Sequence, residues 1–205
     1  MLKNLRLEIL IIVILFLHLL IPNNFDLDLY KYILIFKKTL QQIYLIKFFE
    51  NITILGDSLW YFLISIILII IFFFFTKFFK NNKKTFKNIQ SINLLLFLSV
   101  LISGILTQFL KHILGRPRPS SLGVENEYAL KFFTFDSDFH SFPSGHTSTI
   151  FAVALVMALI APKLKYFIYI LAIIVSLSRV VLEAHFVTDI LGGVVVAIIG
   201  FKLSK

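Results

Sequence analysis

Apolar residues gather in six blocks along this chain, at about 7–22, 58–79, 91–114, 145–161, 165–182 and 187–203. A helix needs roughly 20 residues, with ~17 as a working minimum, to cross the ~30 Å hydrocarbon core of a bilayer, so each block reads as a span. The fourth and fifth are short and separated by Ala161-Pro162-Lys163, a turn with a helix breaker, which predicts a helical hairpin. Between Asn23 and Asn51 the pattern changes. Leu29, Ile33, Phe36, Leu40 and Ile43 recur at helical spacing, with Lys31, Lys37, Lys38, Gln41 and Gln42 between them, predicting an amphipathic helix in the membrane interface. The expected fold is an all-α integral membrane protein. It is an antiparallel bundle of about six transmembrane helices, with an interfacial helix after the first span, and residues 1–205 form one domain.

Charge orients this bundle. Lys3 and Arg6 ahead of the first apolar block resemble a signal peptide, but no small-x-small cleavage site follows Leu20-Ile21-Pro22-Asn23, so an uncleaved first span is expected. Lys77, Lys80, Lys83, Lys84 and Lys87 follow the second span without an acid, Lys163 and Lys165 mark the hairpin turn, and Lys202 and Lys205 end the chain. In a six-span arrangement these share one side with Lys3 and Arg6, and the positive-inside rule makes that side, with both termini, cytoplasmic. The exported side receives Asp26, Asp28, Glu50, Asp57, Glu125, Glu127, Asp136 and Asp138. An integral membrane location is expected.

Composition narrows the function classes. Hydrophobic residues make up 59% of the 205, with 24 Phe, far above a soluble domain. Cysteine is absent, which removes thiolate catalysis and Cys-ligated metal centres. The net charge of +9 lies between apolar spans rather than along a solvent-exposed face, so it marks membrane topology and not a nucleic-acid partner.

Three stretches carry chemistry: Lys111-x6-Arg118-Pro119, Pro143-Ser144-Gly145-His146 and Ser178-Arg179-x5-His185-x3-Asp189. In an antiparallel bundle the end of span three, the start of four, the end of five and the start of six emerge on one face, so residues up to 78 positions apart can share a site just inside the exported boundary. Lys111, Arg118 and Arg179 suit phosphate oxygens, each arginine offering a planar fork of donors, and ionisable groups at such depth point to function. Ser144 and Gly145 open the fourth helix, where unpaired backbone N–H groups and the helix dipole favour an anion. His185 and Asp189, four apart, fall on one helical face, and a carboxylate fixing one imidazole nitrogen leaves the other free to attack phosphorus. A structural His–Asp pair and a metal site remain the competing readings, the latter disfavoured by the surrounding cations.

Taken in order, the three stretches resemble the signature of the type 2 phosphatidic acid phosphatase superfamily, and the six-helix pattern is similar to its membrane branch over nearly the whole chain. The resemblance implies a metal-independent lipid phosphatase without cofactor, with His185 as nucleophile forming a phosphohistidine, Asp189 as its orienter and His146 as general acid. Lys111, Arg118, Ser144, Gly145 and Arg179 would hold the phosphoryl oxygens. The implied partner is a membrane lipid: undecaprenyl pyrophosphate, phosphatidylglycerophosphate, phosphatidic acid or a phosphate of lipid A. A lipid phosphotransferase using the same intermediate, or a lipid-binding or transport protein with a vestigial site, are the alternatives. A vanadate-dependent haloperoxidase shares the anion site, but those relatives are soluble. Arg116, His112, His140, Asp136 and Glu183 fall outside the signature and read as local structure or substrate-specific contacts, and His18, alone in the first span, as a packed residue.

Overall fold

The computed structural model describes residues 6–20, 25–40, 43–78, 82–122 and 129–205. Lys3, Ile21, Pro22, Asn23, Gln41, Gln42, Lys80, Glu125 and Glu127 lie outside them, as do the side chains of Arg6, His18, Phe36, Lys38, Leu40, Ile43 and Lys83. The described chain is helical: α1 (Arg6–Leu20), α2 (Phe25–Leu40), α3 (Ile43–Ile52), α4 (Ser58–Phe78), α5 (Lys83–Leu114), α6 (Gly145–Ile160), α7 (Lys165–Val181) and α8 (Val187–Leu203). Its only named bridge outside helices pairs Arg116 with His140.

Among the described residues three helices, Ser58–Phe78, Lys84–Leu114 and Pro162–Val181, are long and apolar enough to cross a membrane by length and composition, while Gly145–Ile160 is apolar but shorter. Lipid contact is the physical reading of α4. Only Ser65 of its residues is buried, and Leu59, Trp60, Leu63, Ile67, Ile70 and Phe74 are exposed. A row of that size facing water would be an aggregation surface. The polar seam faces inward instead: Asn93 Nδ2 donates to the Ser65 carbonyl at 2.8 Å, joining α5 to α4 where no water competes.

Two expected elements differ in extent. The third span, placed at 91–114, is the last three-quarters of a helix starting at Lys83. Lysine and glutamine propagate a helix well, so hydropathy marks where the membrane begins and not where the helix does. The amphipathic stretch after the first span is two helices, α2 and α3, followed by a 3-10 turn, Thr53–Gly56, that leads into α4.

At the core, α6 packs between α5, α7 and α8, and α8 also lies against α5 and α1. Val100, Ala152, Val153 and Ala197 form one buried cluster and Ile150, Ala154, Ala172 and Val175 another. Small residues set the approach: a Cβ on Gly200 would lie 2.2 Å from Ser103 Oγ, so α5 and α8 touch where a larger residue has no room. Gly115, at φ +54, closes α5 with its N–H on the Lys111 carbonyl. The chain then folds back over that end, with Lys131 N donating to Gly115 O (2.8 Å) and Thr134 N to His112 O (3.0 Å).

Candidate active site

The helix ends converge as expected. A cavity of about 240 Å³ is walled by Lys111, Arg118, Gly145, His146, Arg179 and His185, together with Gly56, Asp57, Ser58, Thr107, Gln108 and Ser148. Residues of all three sequence stretches meet there, although the stretches are far apart in the chain.

Each cation is aimed by a neutral partner. Lys111 Nζ donates to the His140 carbonyl at 2.7 Å. Arg118 is pinned through Nε to Ser137 O (3.0 Å) and NH1 to Ala184 O (3.2 Å), which ties the loop to the turn before α8. Arg179 NH1 donates to Thr53 Oγ1 at 2.9 Å, while its Nε is buried without a hydrogen-bond partner. A buried donor left unpaired is costly.

The start of α6 is built by Ser144 as N-cap, its hydroxyl accepting from Thr147 N (3.5 Å) and Thr147 Oγ1 (3.1 Å). Ser144 is fully buried behind the cavity wall, where its hydroxyl caps the helix. Gly145 does line it. A Cβ there would meet only Thr107 Cγ2, at 3.8 Å, so the protein's own packing leaves room for a side chain and the missing one keeps the cavity open. Gly56 is the opposite case: an added Cβ would sit 2.8 Å from both Cβ and Cδ2 of His146, so the Thr53–Gly56 turn lies directly on that imidazole.

His185 is 3% exposed, and its Nδ1 faces Asp189 Oδ2 at 3.6 Å, a little beyond hydrogen-bond length. Burial, reinforced by the Lys111 and Arg118 charges and opposed by Asp189, pushes His185 down to about 4, so the imidazole is neutral at physiological pH. Asp189 Oδ2 also accepts from Ser141 Oγ (2.5 Å) and Phe186 N (2.8 Å), and Oδ1 accepts from Arg116 NH1. Among the described residues no group of three or more His, Asp or Glu is placed to hold a metal.

Arg116, read from the sequence as local structure or a substrate-specific contact, is thus bonded to the Asp189 carboxylate. Asp26, Ser141, Thr188, Thr53 and Asp57 also stand in or behind the site and were not singled out for it. An arginine inside Gly115-Arg116-Pro117-Arg118 was the one signal available. Asp26 gave none, because an acid in the first turn of an amphipathic helix is ordinary. Glu183, with φ +58, accepts from Tyr30 Oη (3.1 Å) and Lys37 Nζ (2.5 Å), anchoring α2 to the turn that carries His185. His112 and His140 meet at a tilt of 52° with ring centres 4.4 Å apart, and neither lines the cavity.

Known proteins resemble this chain in sequence and fold. The profile of the PAP2 superfamily matches residues 93–204. The chain is 33% identical over 146 residues to a lipid A 1-phosphatase of Rhizobium etli, covering 70% of this chain and 63% of that one, and 30% identical over 109 residues to an undecaprenyl-diphosphatase of Sulfolobus acidocaldarius, covering 53% and 51%. It therefore spans somewhat under two thirds of the curated relatives' length. Among solved structures it is similar to a transmembrane PAP2 type phosphatidylglycerolphosphate phosphatase from Bacillus subtilis, with TM-score 0.64 and 27% identity over 97% of this chain and 92% of that one. The fold also matches Aquifex aeolicus LpxE, with TM-score 0.58 and 22% identity over 89% and 96%.

Proposed function

This chain belongs to the PAP2 superfamily and is an integral membrane protein, and on that footing we propose that it is a membrane lipid phosphatase working through a phosphohistidine at His185. The observation that carries the reading is the cavity itself, where three cations, two imidazoles and the first turn of α6 from three separate stretches face one space of about 240 Å³. The alternative of a vestigial lipid-binding site is disfavoured by the same completeness.

In the proposed reaction Lys111, Arg118, Arg179 and the backbone at Gly145 take up the phosphoryl oxygens, whose negative charge they neutralise as it is redistributed during transfer. His185, neutral and with Nδ1 turned to Asp189, attacks phosphorus through Nε2. The P–O bond to the lipid breaks as His146 gives its proton to the leaving oxygen. Water then attacks the phosphohistidine, His146 takes its proton, and inorganic phosphate leaves with His185 restored, so the net change is one water consumed per ester or pyrophosphate cleaved.

The six-span arrangement, cytoplasmic termini and a site at the exported face of a bacterial inner membrane complete the proposal, supported by the lysine distribution and by the placement of the cavity at one end of α5, α6, α7 and α8. Substrates are sought among the phosphates of lipid A, undecaprenyl pyrophosphate, phosphatidylglycerophosphate and phosphatidic acid. A lipid phosphotransferase would use the same phosphohistidine with an alcohol in place of water. The test is purified protein offered this panel, with and without an added lipid alcohol. Free phosphate from at least one lipid supports the reading, and none from any, in folded protein, overturns it.

A further inference from the structure

Asp189 is gripped from the side away from His185 by a buried chain of charges that no part of the signature includes. Arg116, 1% exposed, donates NH1 to Asp189 Oδ1 and to Thr188 Oγ1 (2.8 Å) and NH2 to Asp26 Oδ2 (2.7 Å). Asp26, 5% exposed in the first turn of α2, also accepts from Thr188 Oγ1 and from Thr188 N at 3.3 Å. The guanidinium lies 4.3 Å over the Phe186 ring, which Tyr30 of α2 meets edge-on at 6.1 Å. Asp26 stands outside residues 93–204, the part covered by the family profile.

Burying two carboxylates around one guanidinium is a poor way to gain stability, because desolvation offsets the attraction and apolar residues often do as well. The geometry supplies another reason. With Oδ1 held by Arg116, and Oδ2 held by Ser141 and Phe186 N, the plane of the Asp189 carboxylate has no freedom, and the oxygen left facing His185 Nδ1 is fixed. We propose that Asp26 and Arg116 are positioning residues of the reaction, which fix Asp189 and through it the tautomer and aim of His185, so that the interfacial helix α2 belongs to the catalytic apparatus.

This inference rests on the phosphatase reading for its kinetic test. The groups facing His185 are Asp189 from α8, Lys111 from α5 and Arg118 from the loop, with Arg116 and Asp26 one and two charges behind Asp189. Loss of the Arg116 charge leaves Asp189 to stabilise the imidazolium alone, so the acid limb of kcat/KM moves to higher pH. Loss of the Asp26 charge strengthens the hold of Arg116 on Asp189, so the limb moves to lower pH. A merely structural role predicts weaker folding with no ordered pair of shifts.

The experiment compares the full chain with Asp26→Asn, Arg116→Met and Arg116→Lys, reading kcat, KM, the pH profile and thermal unfolding. Asp26→Asn is expected to fold, to lose about 10-fold or more in kcat through misalignment, with KM little changed and the limb lowered. Arg116→Met raises the limb, and Arg116→Lys recovers part of the kcat. Titration of His185 by ¹⁵N-histidine NMR gives the same displacements without turnover, so an inactive wild type would overturn the phosphatase reading while this measurement still decides the positioning one. An unmoved His185 titration in folded Asp26→Asn, or a kcat equal to wild type, overturns the inference.

Discussion

Gly56→Ala isolates the role assigned to His146 without touching it. The new Cβ would stand 2.8 Å from Cβ and Cδ2 of His146, where ordinary contacts begin at 3.4 Å, so one side must give by about 0.6 Å. The start of α6 cannot retreat, since Gly193 already holds it so closely that a Cβ there would be 2.7 Å from the Ser144 carbonyl oxygen. A swing of the imidazole relieves the contact on Cδ2 but not the one on Cβ, so the Thr53–Gly56 turn backs off while the ring shifts. Overpacking of this kind costs about 1–3 kcal/mol of stability. Since ~1 Å of misplacement costs about 100-fold in rate, a shift of this size predicts roughly a 10-fold loss of kcat. The loss should fall on alkyl lipid phosphates, whose leaving oxygen needs the proton, and largely spare an aryl phosphate, whose leaving group does not. The assay is released phosphate for both substrates in detergent, beside thermal unfolding. Gly145→Ala is the comparator: its Cβ meets nothing nearer than 3.8 Å, so folding is kept, but the methyl enters the cavity and raises KM. An equal fold-loss on both substrates in a Gly56→Ala protein that shows the stability loss would refute the proton-donating role of His146.

Three further outcomes follow from the same geometry. Because burial holds His185 at about 4, below the ordinary 6.5, the folded protein gives up a proton that the unfolded chain keeps. Stability contributed by the neutral imidazole is therefore full above about 6.5 and lost as pH falls toward about 4, and the acid limb of kcat/KM, with substrate ionisation measured separately, should lie near 4; an acid limb at 6.5 contradicts the burial argument. Turnover should persist in excess EDTA, since the cations and the helix N-terminus supply the positive charge, and loss on chelation restored by a divalent ion refutes this. Reporters placed after Lys205 or near Asn82 should read cytoplasm and one near Glu125 the exported side, while an exported signal at Asn82 inverts the topology.

The apolar blocks at 58–79, 145–161, 165–182 and 187–203 match α4, α6, α7 and α8 to within a residue or so, because Pro162, Pro143-Ser144 and the polar turn at Glu183 end the helices where the hydropathy ends. The start of α5 was hidden for the opposite reason: Lys83 to Gln90 is polar without a breaker, so helix and membrane boundaries part company. In the site, Lys111, Arg118, Gly145, His146, Arg179 and His185 were legible because spacing and parity place them on one face, and all line the cavity. Ser144 was legible as a helix cap, and its burial behind the cavity wall follows from how closely Gly193 brings α8. Asp26 and Thr53 were out of reach. They lie more than 120 residues from their partners Thr188 and Arg179, on segments whose local pattern indicates only an amphipathic surface.

The central claim is that His185 carries the phosphoryl group. Brief reaction of the purified protein with a lipid labelled in its phosphate, quenched in alkali, should leave label on the protein that is stable to base, released by acid, and recovered in the peptide containing His185. His185→Ala, folded by thermal unfolding, should hold no label and release no phosphate. Rapid turnover by wild type with no labelled protein at any quench time, or more than about a tenth of its activity in folded His185→Ala, would contradict the account.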